Sequence, residues 1–371
     1  MQFKFKDLIL LLLILALIFI REIGHQAYLL NIRWLYFVVL SFCISYFLTP
    51  FVIKAANRFQ ILDYPSERKL HKEPTPRIGG ISLYLAILIS LVRNIQFRNE
   101  IIGLIIGGSI IFLVALLDDI FSLTALVRLI AQILASLIIV VFGFKITALP
   151  YGFPFEGILE TLITIIWFVG IINAVNFLDG IDGLVSGFGS FCALLFLVLS
   201  LLTGQKHISY LSSSLLGACL GFLPYNWHKA KIFLGDCGAS IIGFSLAAIS
   251  VVGWWAEKNP VVSLSTPVLI LSVAIYDMIY ITISRIKNKQ VKNLKEWIEY
   301  VGKDHLHHRL LKLGFSVPQT VGFVVLVSFC IGLYSVIIRY SCVNDFVAFL
   351  ILFQTFLIFC ILSLIMYVGR K

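Results

Sequence analysis

Long apolar segments, separated by short polar ones, run along almost the whole chain. About twelve of them could cross the roughly 30 Å hydrocarbon core of a bilayer, and they begin near residues 8, 34, 78, 101, 126, 158, 184, 209, 239, 265, 319 and 345. Their apolar residues are continuous rather than alternating, which excludes the strands of a membrane β-barrel. Because several segments are short, the pattern predicts an all-α, polytopic membrane bundle of about 11–12 transmembrane helices.

The first apolar segment, "LILLLLILALIFI" at residues 8–20, follows the basic stretch "MQFKFK". A signal peptide is the alternative, but no small-residue cleavage site follows, and the later segments also span a membrane. We therefore predict an extra N-terminal transmembrane helix and outer loop over residues 1–33, and an integral-membrane domain over residues 34–371.

Composition and charge agree with a chain embedded in lipid. Of the 371 residues, 60% are hydrophobic and only 13% are charged, which is far from the composition of a soluble domain. If the N-terminus is cytoplasmic and the helices alternate in direction, 21 of the 29 Lys and Arg residues lie on the cytoplasmic side, as the positive-inside rule requires. Such a basic face attracts anionic headgroups and phosphate-bearing substrates. The sequence thus predicts a multi-pass membrane protein whose basic face is cytoplasmic.

Five polar clusters fall at this predicted cytoplasmic face, whereas the outer loops are short and chemically plain. The clusters are "DYPSERKLHKEPTPRIGG" (63–80), "LLDDIFSLTALVRL" (116–129), "NAVNFLDGIDG" (173–183), "NWHKAKIFLGDCGAS" (226–240) and "GKDHLHHRLLKLG" (302–314). Their convergence on one side of the membrane predicts a single shared site.

Two adjacent carboxylates, Asp118 and Asp119, end one apolar helix. Ionised side by side they repel each other, so such a pair persists where a cation, an arginine or a shared proton relieves the repulsion. Arg128 follows nine residues after Asp119; we expect it on the next helix, facing back, where it could clamp a phosphate. A helix-ending Asp with a solvated neighbour is the alternative.

Four polar residues recur at a spacing of three: Asn173, Asn176, Asp179 and Asp182. A helix, or a loop with helical pitch, would place their oxygens on one side, and oxygen ligands of this kind suit Mg²⁺. Capping at a helix end is the alternative. Asp236 in "FLGDCGAS" has two interpretations as well, an N-cap or a metal ligand beside a helix N-terminus that faces a phosphate.

Basic residues complete the pattern. In "DHLHHRLL", His305, His307 and His308 with Arg309 fit donors to a diphosphate. A zinc site fits less well, because neighbouring residues point about 100° apart on a helix and no clear fourth ligand lies near.

The segment "RKLHKEPTPRIGG" gathers Lys69, His71 and Arg77 on an arm stiffened by two prolines. The same charges would also suit a membrane-surface anchor for anionic lipid.

Taken in order over residues 63–315, these motifs resemble the polyprenyl-phosphate N-acetylhexosamine-1-phosphate transferase family, whose branches include the WecA and TagO type enzymes and, further off, MraY. The matching patterns are D-P-x-x-R-K-x-H…P-x-P-R-x-G-G in part, "DD" followed by Arg128, N-A-x-N-x-x-D-G-x-D-G-L, F-x-G-D-x-G and H-x-H-H-R-L. The helix at residues 8–20 looks like an addition to the usual eleven-helix plan.

The resemblance implies a reaction in which polyprenyl phosphate attacks the β-phosphorus of a UDP-N-acetylhexosamine, releasing UMP, with Mg²⁺, or alternatively Mn²⁺, assisting. The lipid-linked sugar formed would initiate cell-surface polysaccharide synthesis. By similarity, Asp118 and Asp119 would engage or deprotonate the lipid phosphate, and Asn176 and Asp236 would hold the metal. The remaining implied catalytic residues are Asp179, Asp182, His305, His307 and His308, and the implied substrate-binding residues are Lys69, His71, Arg77, Arg128, Asn173 and Arg309.

The implied partners are polyprenyl phosphate, the UDP-sugar and membrane lipids, with no nucleic acid; we also consider a homodimer. Two departures from the family pattern stand out. Ala239 occupies a position where the family usually has Ser, so a hydroxyl role would pass to Ser240. The common "SPFxPD" segment is replaced by "KNKQVKNLKEWIEYVGKD", so sugar identity cannot be taken from this loop.

Two other functions remain as alternatives. An MraY-like phospho-MurNAc-pentapeptide transferase would share the reaction, although the Asn-Asp and histidine motifs look more like the WecA side. An ion-coupled or lipid transporter would place ionisable residues near the bilayer midplane on broken helices. Here the acidic residues cluster at helix ends on one side, which favours the enzyme.

Overall fold

The computed structural model describes residues 5–65, 73–94, 99–147, 149, 152–255, 260–291, 296, 302, 304–340 and 345–368. The helices are α1 (Phe5–Phe19), α2 (Arg21–Leu29), α3 (Arg33–Arg58), α4 (Gly80–Asn94), α5 (Asn99–Phe121), α6 (Ala125–Val141), α7 (Glu156–Leu178), α8 (Leu184–Leu202), α9 (Lys206–Asn226), α10 (Gly235–Val252), α11 (Pro260–Ile270), α12 (Ser272–Lys287), α13 (Leu306–Lys312), α14 (Val317–Tyr340) and α15 (Asp345–Val368). Strands β1 (Leu62–Asp63) and β2 (Thr75–Pro76) pair antiparallel, with Leu62 opposite Pro76.

Each apolar segment predicted from the sequence forms a helix or a bent pair of helices. Within the described residues, eight helices are long and apolar enough to cross a membrane: α3, α5, α7, α8, α9, α10, α14 and α15. Two bent pairs raise that number to at most ten, α1 with α2 at 70° and α11 with α12 at 79°, and α4 and α6 are shorter apolar helices. The predicted polytopic all-α membrane bundle is confirmed.

The centre of the bundle consists of α8, α9 and α10. Each has 78% of its membrane-spanning stretch buried, compared with 17% for α15. Close helix packing explains the glycines of α9: a Cβ at Gly217 would lie 2.2 Å from the carbonyl oxygen of Val38, and one at Gly221 2.4 Å from that of Phe42. Small residues let the backbones of α9 and α3 approach, which is how helices associate in lipid.

The last turn of the N-terminal helix α1 is bound by side chains of α3 and α4. The hydroxyl of Tyr36 on α3 donates to the carbonyl oxygen of Leu17 at 2.5 Å. Arg93 on α4 donates from Nε to the carbonyl oxygen of Ile18. These two contacts satisfy carbonyl groups at the end of α1, where no intrahelical donor remains.

The chain that enters α4 lies beside the chain that enters α10. Phe233 N donates to Pro76 O at 2.8 Å, Gly79 N to Phe233 O at 3.1 Å and Gly80 N to Leu234 O at 2.9 Å. A Cβ at Gly80 would lie 2.2 Å from the nitrogen of Gly238, so only glycine permits this approach. The glycine pair therefore brings Arg77 to the N-terminal end of α10.

Candidate active site

Arg128 joins two carboxylates that come from different helices. Its Nη1 lies 3.0 Å from Asp118 Oδ2 and 3.6 Å from Asp236 Oδ2. The other oxygen of Asp118 accepts from Leu123 N at 2.6 Å, in the turn between α5 and α6. Arg128 thus faces back from the next helix, as predicted, and neither acidic residue of the pair is solvated: Asp118 is 4% exposed and Asp119 is 5% exposed.

Asp119 caps the helix on which Asp236 lies. Its Oδ1 accepts from Asp236 N and its Oδ2 from Cys237 N, both at 3.0 Å. Arg77 Nη2 lies 3.4 Å from Asp119 Oδ1. The first N–H groups of α10 therefore find a carboxylate from another helix, and Asp236 does not cap its own helix but turns its side chain toward Arg128.

The segment 173–183 does not form one stripe of oxygens, and that prediction is wrong. Helix α7 ends at Leu178 and Asp179 is its C-cap, so the helical pitch stops between the Asn and the Asp residues. Asn173 donates from Nδ2 to Gln132 Oε1 and to Val169 O, both at 2.7 Å. Asn176 Oδ1 is buried and has no hydrogen-bond partner among the described residues.

The two aspartates that follow α7 have different surroundings. Asp182 Oδ2 accepts from Ala230 N at 3.2 Å and lies 3.2 Å from His228 Nδ1, which holds the connection between α9 and α10. Asp179 is half-buried, and desolvation, followed by the nearby charges of Asp236, Asp119 and Asp182, raises its pKa well above the usual range. Carboxylates so close together require a cation or protons to relieve their repulsion.

Asn176 and Asp236 offer oxygen atoms of the kind that Mg²⁺ binds. The described residues contain no group of three His, Cys, Asp or Glu side chains that could hold a metal ion. Mg²⁺ does not need one, because it keeps waters and takes one or two carboxylates together with substrate phosphate oxygens. The buried oxygen of Asn176 without a partner and the Asp236 carboxylate are ligands of the right kind.

Residues 304–312, which we call the histidine segment, lie over the turn after α7. The ring of His305 lies 5.4 Å from that of Phe177 on α7. The buried His307 packs onto Gly180, where a Cβ would lie 2.1 Å from His307 Nε2. Neither ring nitrogen of His307 has a hydrogen-bond partner in the described part of the chain, and His308 packs beside it with ring centroids 4.3 Å apart.

Burial, and then the neighbouring His308 and His305, lower the pKa of His307 well below its ordinary value. The ring is therefore neutral, with one N–H to donate and one nitrogen to accept.

Of the remaining predicted binding residues, Arg309 lies within the described part of the chain, whereas Lys69 and His71 do not. Arg309 is buried and donates from Nε to Asp304 O at 3.3 Å. Lys69 and His71 lie outside the described residues, so their predicted role stays a prediction.

A cavity of about 560 Å³, which we call the central cavity, opens beside Arg128. We use this name for the space between α5, α6, α7, α10 and α12, lined for the most part by apolar side chains. Its polar lining residues are Arg128, Gln132, Asn173, Asn176, Ser240 and Thr282. Ala239 is fully buried, whereas its neighbour Ser240 lines the cavity.

Several residues of the site escaped sequence reasoning. Asp277 and Arg285 on α12 bind the histidine segment, and Asn226 accepts from Gly183 N at 3.2 Å and Ser186 Oγ at 2.8 Å at the start of α8. A signal existed for Asp277, which is a lone carboxylate within the apolar stretch "SVAIYDMIYI". An ionisable residue inside a transmembrane segment indicates function by default.

Comparison with known proteins points in one direction. A family model described as Glycosyl transferase family 4 matches residues 101–254. The chain is 31% identical over 311 residues to the probable undecaprenyl-phosphate N-acetylglucosaminyl 1-phosphate transferase of Bacillus subtilis (strain 168). The aligned residues cover 81% of this chain and 85% of the relative. The chain is also 31% identical over 313 residues to the decaprenyl-phosphate N-acetylglucosaminephosphotransferase of Mycobacterium leprae (strain TN), covering 76% and 78%.

A more distant relative is the undecaprenyl-phosphate alpha-N-acetylglucosaminyl 1-phosphate transferase of Escherichia coli (strain K12), 26% identical over 303 residues that cover 78% of this chain and 80% of the relative. Over the residues that it matches, the family model indicates a glycosyl transferase of family 4, and the two relatives of 31% identity show the family for most of the chain. The chain belongs, within that class, to the polyprenyl-phosphate N-acetylglucosamine-1-phosphate transferase family, and the resemblance inferred from its motifs is confirmed.

Proposed function

We propose that this protein transfers an N-acetylhexosamine 1-phosphate from a UDP-sugar to polyprenyl phosphate at the cytoplasmic face of the plasma membrane. The reaction releases UMP and forms the lipid-linked sugar that initiates a surface polysaccharide. The observation that carries the proposal is the Asp118–Arg128–Asp236 cluster beside a central cavity of about 560 Å³. The names of the relatives, which specify undecaprenyl or decaprenyl phosphate, support a polyprenyl acceptor.

The central cavity suits the lipid acceptor. Its apolar walls can take isoprene units out of water, and burial of apolar surface contributes roughly 25 cal/mol per Å². Arg128 lines the cavity and is paired with Asp118. A phosphate that enters with the lipid would meet this guanidinium, whose fork of N–H donors matches phosphate oxygens.

The chemistry joins two anionic substrates. An oxygen of the acceptor phosphate attacks the β-phosphorus of the UDP-sugar, a new phosphoanhydride bond forms, and the bond to the α-phosphate breaks so that UMP leaves. Asp118 lies 3.0 Å from Arg128, so it can orient the acceptor phosphate through Arg128 and take its proton. Positioning and electrostatic stabilisation supply most of the catalysis in phosphoryl transfer.

Asn176 and Asp236 would hold Mg²⁺, or alternatively Mn²⁺, which when bound neutralises the diphosphate charge. His307, which packs on Gly180, would provide a neutral donor. Asp119 and Asp182 keep their part of the site in place through backbone N–H groups of residues 236, 237 and 230.

The test incubates purified protein with polyprenyl phosphate, Mg²⁺, Mn²⁺ or a chelator, and a panel of UDP-sugars, and follows UMP. We expect Asp118→Asn to lower UMP release by at least about 100-fold, the range for loss of a positioned acid-base group. Asp236→Asn, which removes a proposed metal ligand, should lower UMP release at least as much. Glu160→Gln is the matched control, because Glu160 is a buried carboxylate paired with Lys145 at 2.7 Å at the other end of α7.

Wild-type turnover in both site variants would end this assignment. UMP release only with UDP-MurNAc-pentapeptide would support the MraY-like alternative. Release that does not depend on the lipid would contradict the proposed acceptor.

A further inference from the structure

A buried carboxylate on α12 holds the start of the histidine segment. Asp277 is fully buried, and its Oδ2 lies 2.8 Å from His305 Nδ1. Its Oδ1 accepts from Leu306 N at 2.8 Å, at the first residue of α13. One carboxylate therefore fixes both the ring of His305 and the N-terminus of the helix that follows.

A second residue of α12 holds the same segment from the other side. Arg285 is 1% exposed and binds Asp304 with two hydrogen bonds, Nε to Oδ2 at 2.9 Å and Nη2 to Oδ1 at 2.8 Å. Burial alone would raise the pKa of Asp304, but the hydrogen bonds and charge of Arg285, together with His305, outweigh it and lower the pKa. Arg285 Nη2 also lies 3.4 Å from His305 Nε2.

Both ring nitrogens of His305 are thus occupied within the protein. Asp277 accepts from Nδ1–H, and Nε2 faces the Arg285 guanidinium. His305 therefore acts as a structural link between α12 and α13. The ring nitrogens of His307, by contrast, have no partner among the described residues, although that ring is also buried.

The position of His307 follows from this link. His307 is the second residue of α13 and directly follows Leu306, whose backbone N–H donates to Asp277. A carboxylate that accepts from the first N–H of a helix holds that end of the helix in place. Asp277 therefore restrains the position of the His307 ring over Gly180. The next residue of α12, Met278, lines the central cavity together with Ile279, Thr282 and Ile283.

We propose that Asp277, assisted by Arg285, is a positioning residue that acts through His305 and the Leu306 amide to set His307 against the site. Helix α12 is then the common support of the histidines and the acceptor cavity. This inference rests on the proposed function for its kinetic consequences, but its structural consequence can be measured without turnover.

The first measurement is hydrogen exchange of the detergent-purified protein without substrate. The Asn side chain in Asp277→Asn keeps one acceptor oxygen for two donors, so we expect faster exchange in residues 304–312. Exchange in α9 should remain unchanged, and Glu160→Gln should show no effect on residues 304–312. Unchanged exchange there in Asp277→Asn overturns the proposal, whether or not the enzyme turns over UDP-sugars.

The second measurement is a double-mutant cycle on UMP release. We expect Asp277→Asn to lower kcat by about 10–100-fold, as for loss of an orienting partner, with the KM for polyprenyl phosphate within about twofold of wild type. Because Asp277 acts partly through the His305 ring and partly through the Leu306 amide, Asp277→Asn should slow the His305→Ala variant by a smaller factor than it slows the wild type. Multiplying effects would mean that Asp277 acts independently of His305 and would refute the mechanism. Absence of UMP release from wild-type protein would refute the proposed function instead, and hydrogen exchange alone would then decide on the positioning role.

Discussion

Adjacent aspartates at the end of α5 perform different tasks because neighbouring helical residues point about 100° apart. Asp118 faces Arg128 on α6, whereas Asp119 faces the N-terminus of α10. The sequence indicated that the two adjacent carboxylates need a positively charged partner, and Arg128 was the predicted candidate. It could not divide the two roles, because the cap that Asp119 provides belongs to a helix more than a hundred residues later in the chain.

We expect Asp119→Asn to destabilise the protein far more than Asp118→Asn. An amide at residue 119 can accept from only one of the Asp236 and Cys237 N–H groups, and its NH₂ would face the other. Loss of a cap together with part of a buried ion pair costs about 2–4 kcal/mol. An amide at residue 118 still accepts from Leu123 N, and Arg128, which loses its ion pair with residue 118, keeps the Asp236 carboxylate as a second partner. The cost should therefore be about 1 kcal/mol. Denaturant unfolding in detergent checks the difference, and equal losses would contradict the division of roles.

The buried His307 predicts a pH dependence of stability. Its pKa is lowered in the folded protein, chiefly by burial, while in the unfolded chain it stays near 6.5. Between these two values the unfolded state binds a proton that the folded state does not, so stability is lost as pH falls below about 6.5, by at most about 1.4 kcal/mol per pH unit.

Thermal unfolding without ligand at pH 7.5 and pH 5.5 should therefore show a smaller acid loss for His307→Asn than for wild type. His25→Asn, at an exposed position on α2, serves as the control and should behave like wild type. Identical acid losses for wild type and His307→Asn would show that another group is responsible.

At the scale of elements, α7 shows where sequence spacing succeeds and where it fails. The spacing correctly brought the Asn and Asp residues of segment 173–183 to one end of the bundle. It could not show that the helix ends at Leu178, because that depends on Gly180 under the His307 ring and on Gly183, whose φ of +75° begins the entry to α8. Asn176 was thereby separated from Asp182, which binds the chain before α10 instead.

The same helix offers a test of the central cavity. A Cβ at Gly170 would meet no atom within 4 Å, and Gly170 lines the cavity. We expect Gly170→Leu to fill part of it and raise the KM for polyprenyl phosphate by about tenfold, equivalent to about 1.4 kcal/mol.

Gly157→Leu is a matched control on the first turn of α7, because a Cβ there also meets nothing within 4 Å. Both changes raise helix propensity, so a loss of folding cannot explain a selective effect. Equal KM values for the two variants would place the lipid elsewhere.

At the scale of the whole molecule, hydropathy predicted each membrane-spanning segment, but not the bends of 70° and 79° in two of them. A continuous apolar segment sets the length of a helix, whereas its direction follows from packing against neighbours. The network at Asp277 was missed for the same reason, since its partners Asp304, His305 and Arg285 meet it only through the fold. Local patterns thus identified the residue types of the site, and long-range packing assigned their tasks.

The orientation of the bundle is the remaining prediction of the sequence, and α9 can test it. Helix α9 crosses the membrane once, begins at Lys206 and ends shortly before Lys229. Both lysines are exposed, and Lys229 directly precedes Ala230, whose backbone N–H donates to Asp182. The excess of Lys and Arg predicts that Lys229 and the carboxylates lie on the cytoplasmic side, where the proposed UDP-sugar donor could reach them. In a variant without native cysteines, a membrane-impermeant maleimide applied to intact cells should label Lys206→Cys at once and Lys229→Cys only after permeabilisation. The reverse pattern would place the carboxylates outside the cell, away from the nucleotide sugar, and would remove the basis of the proposed reaction.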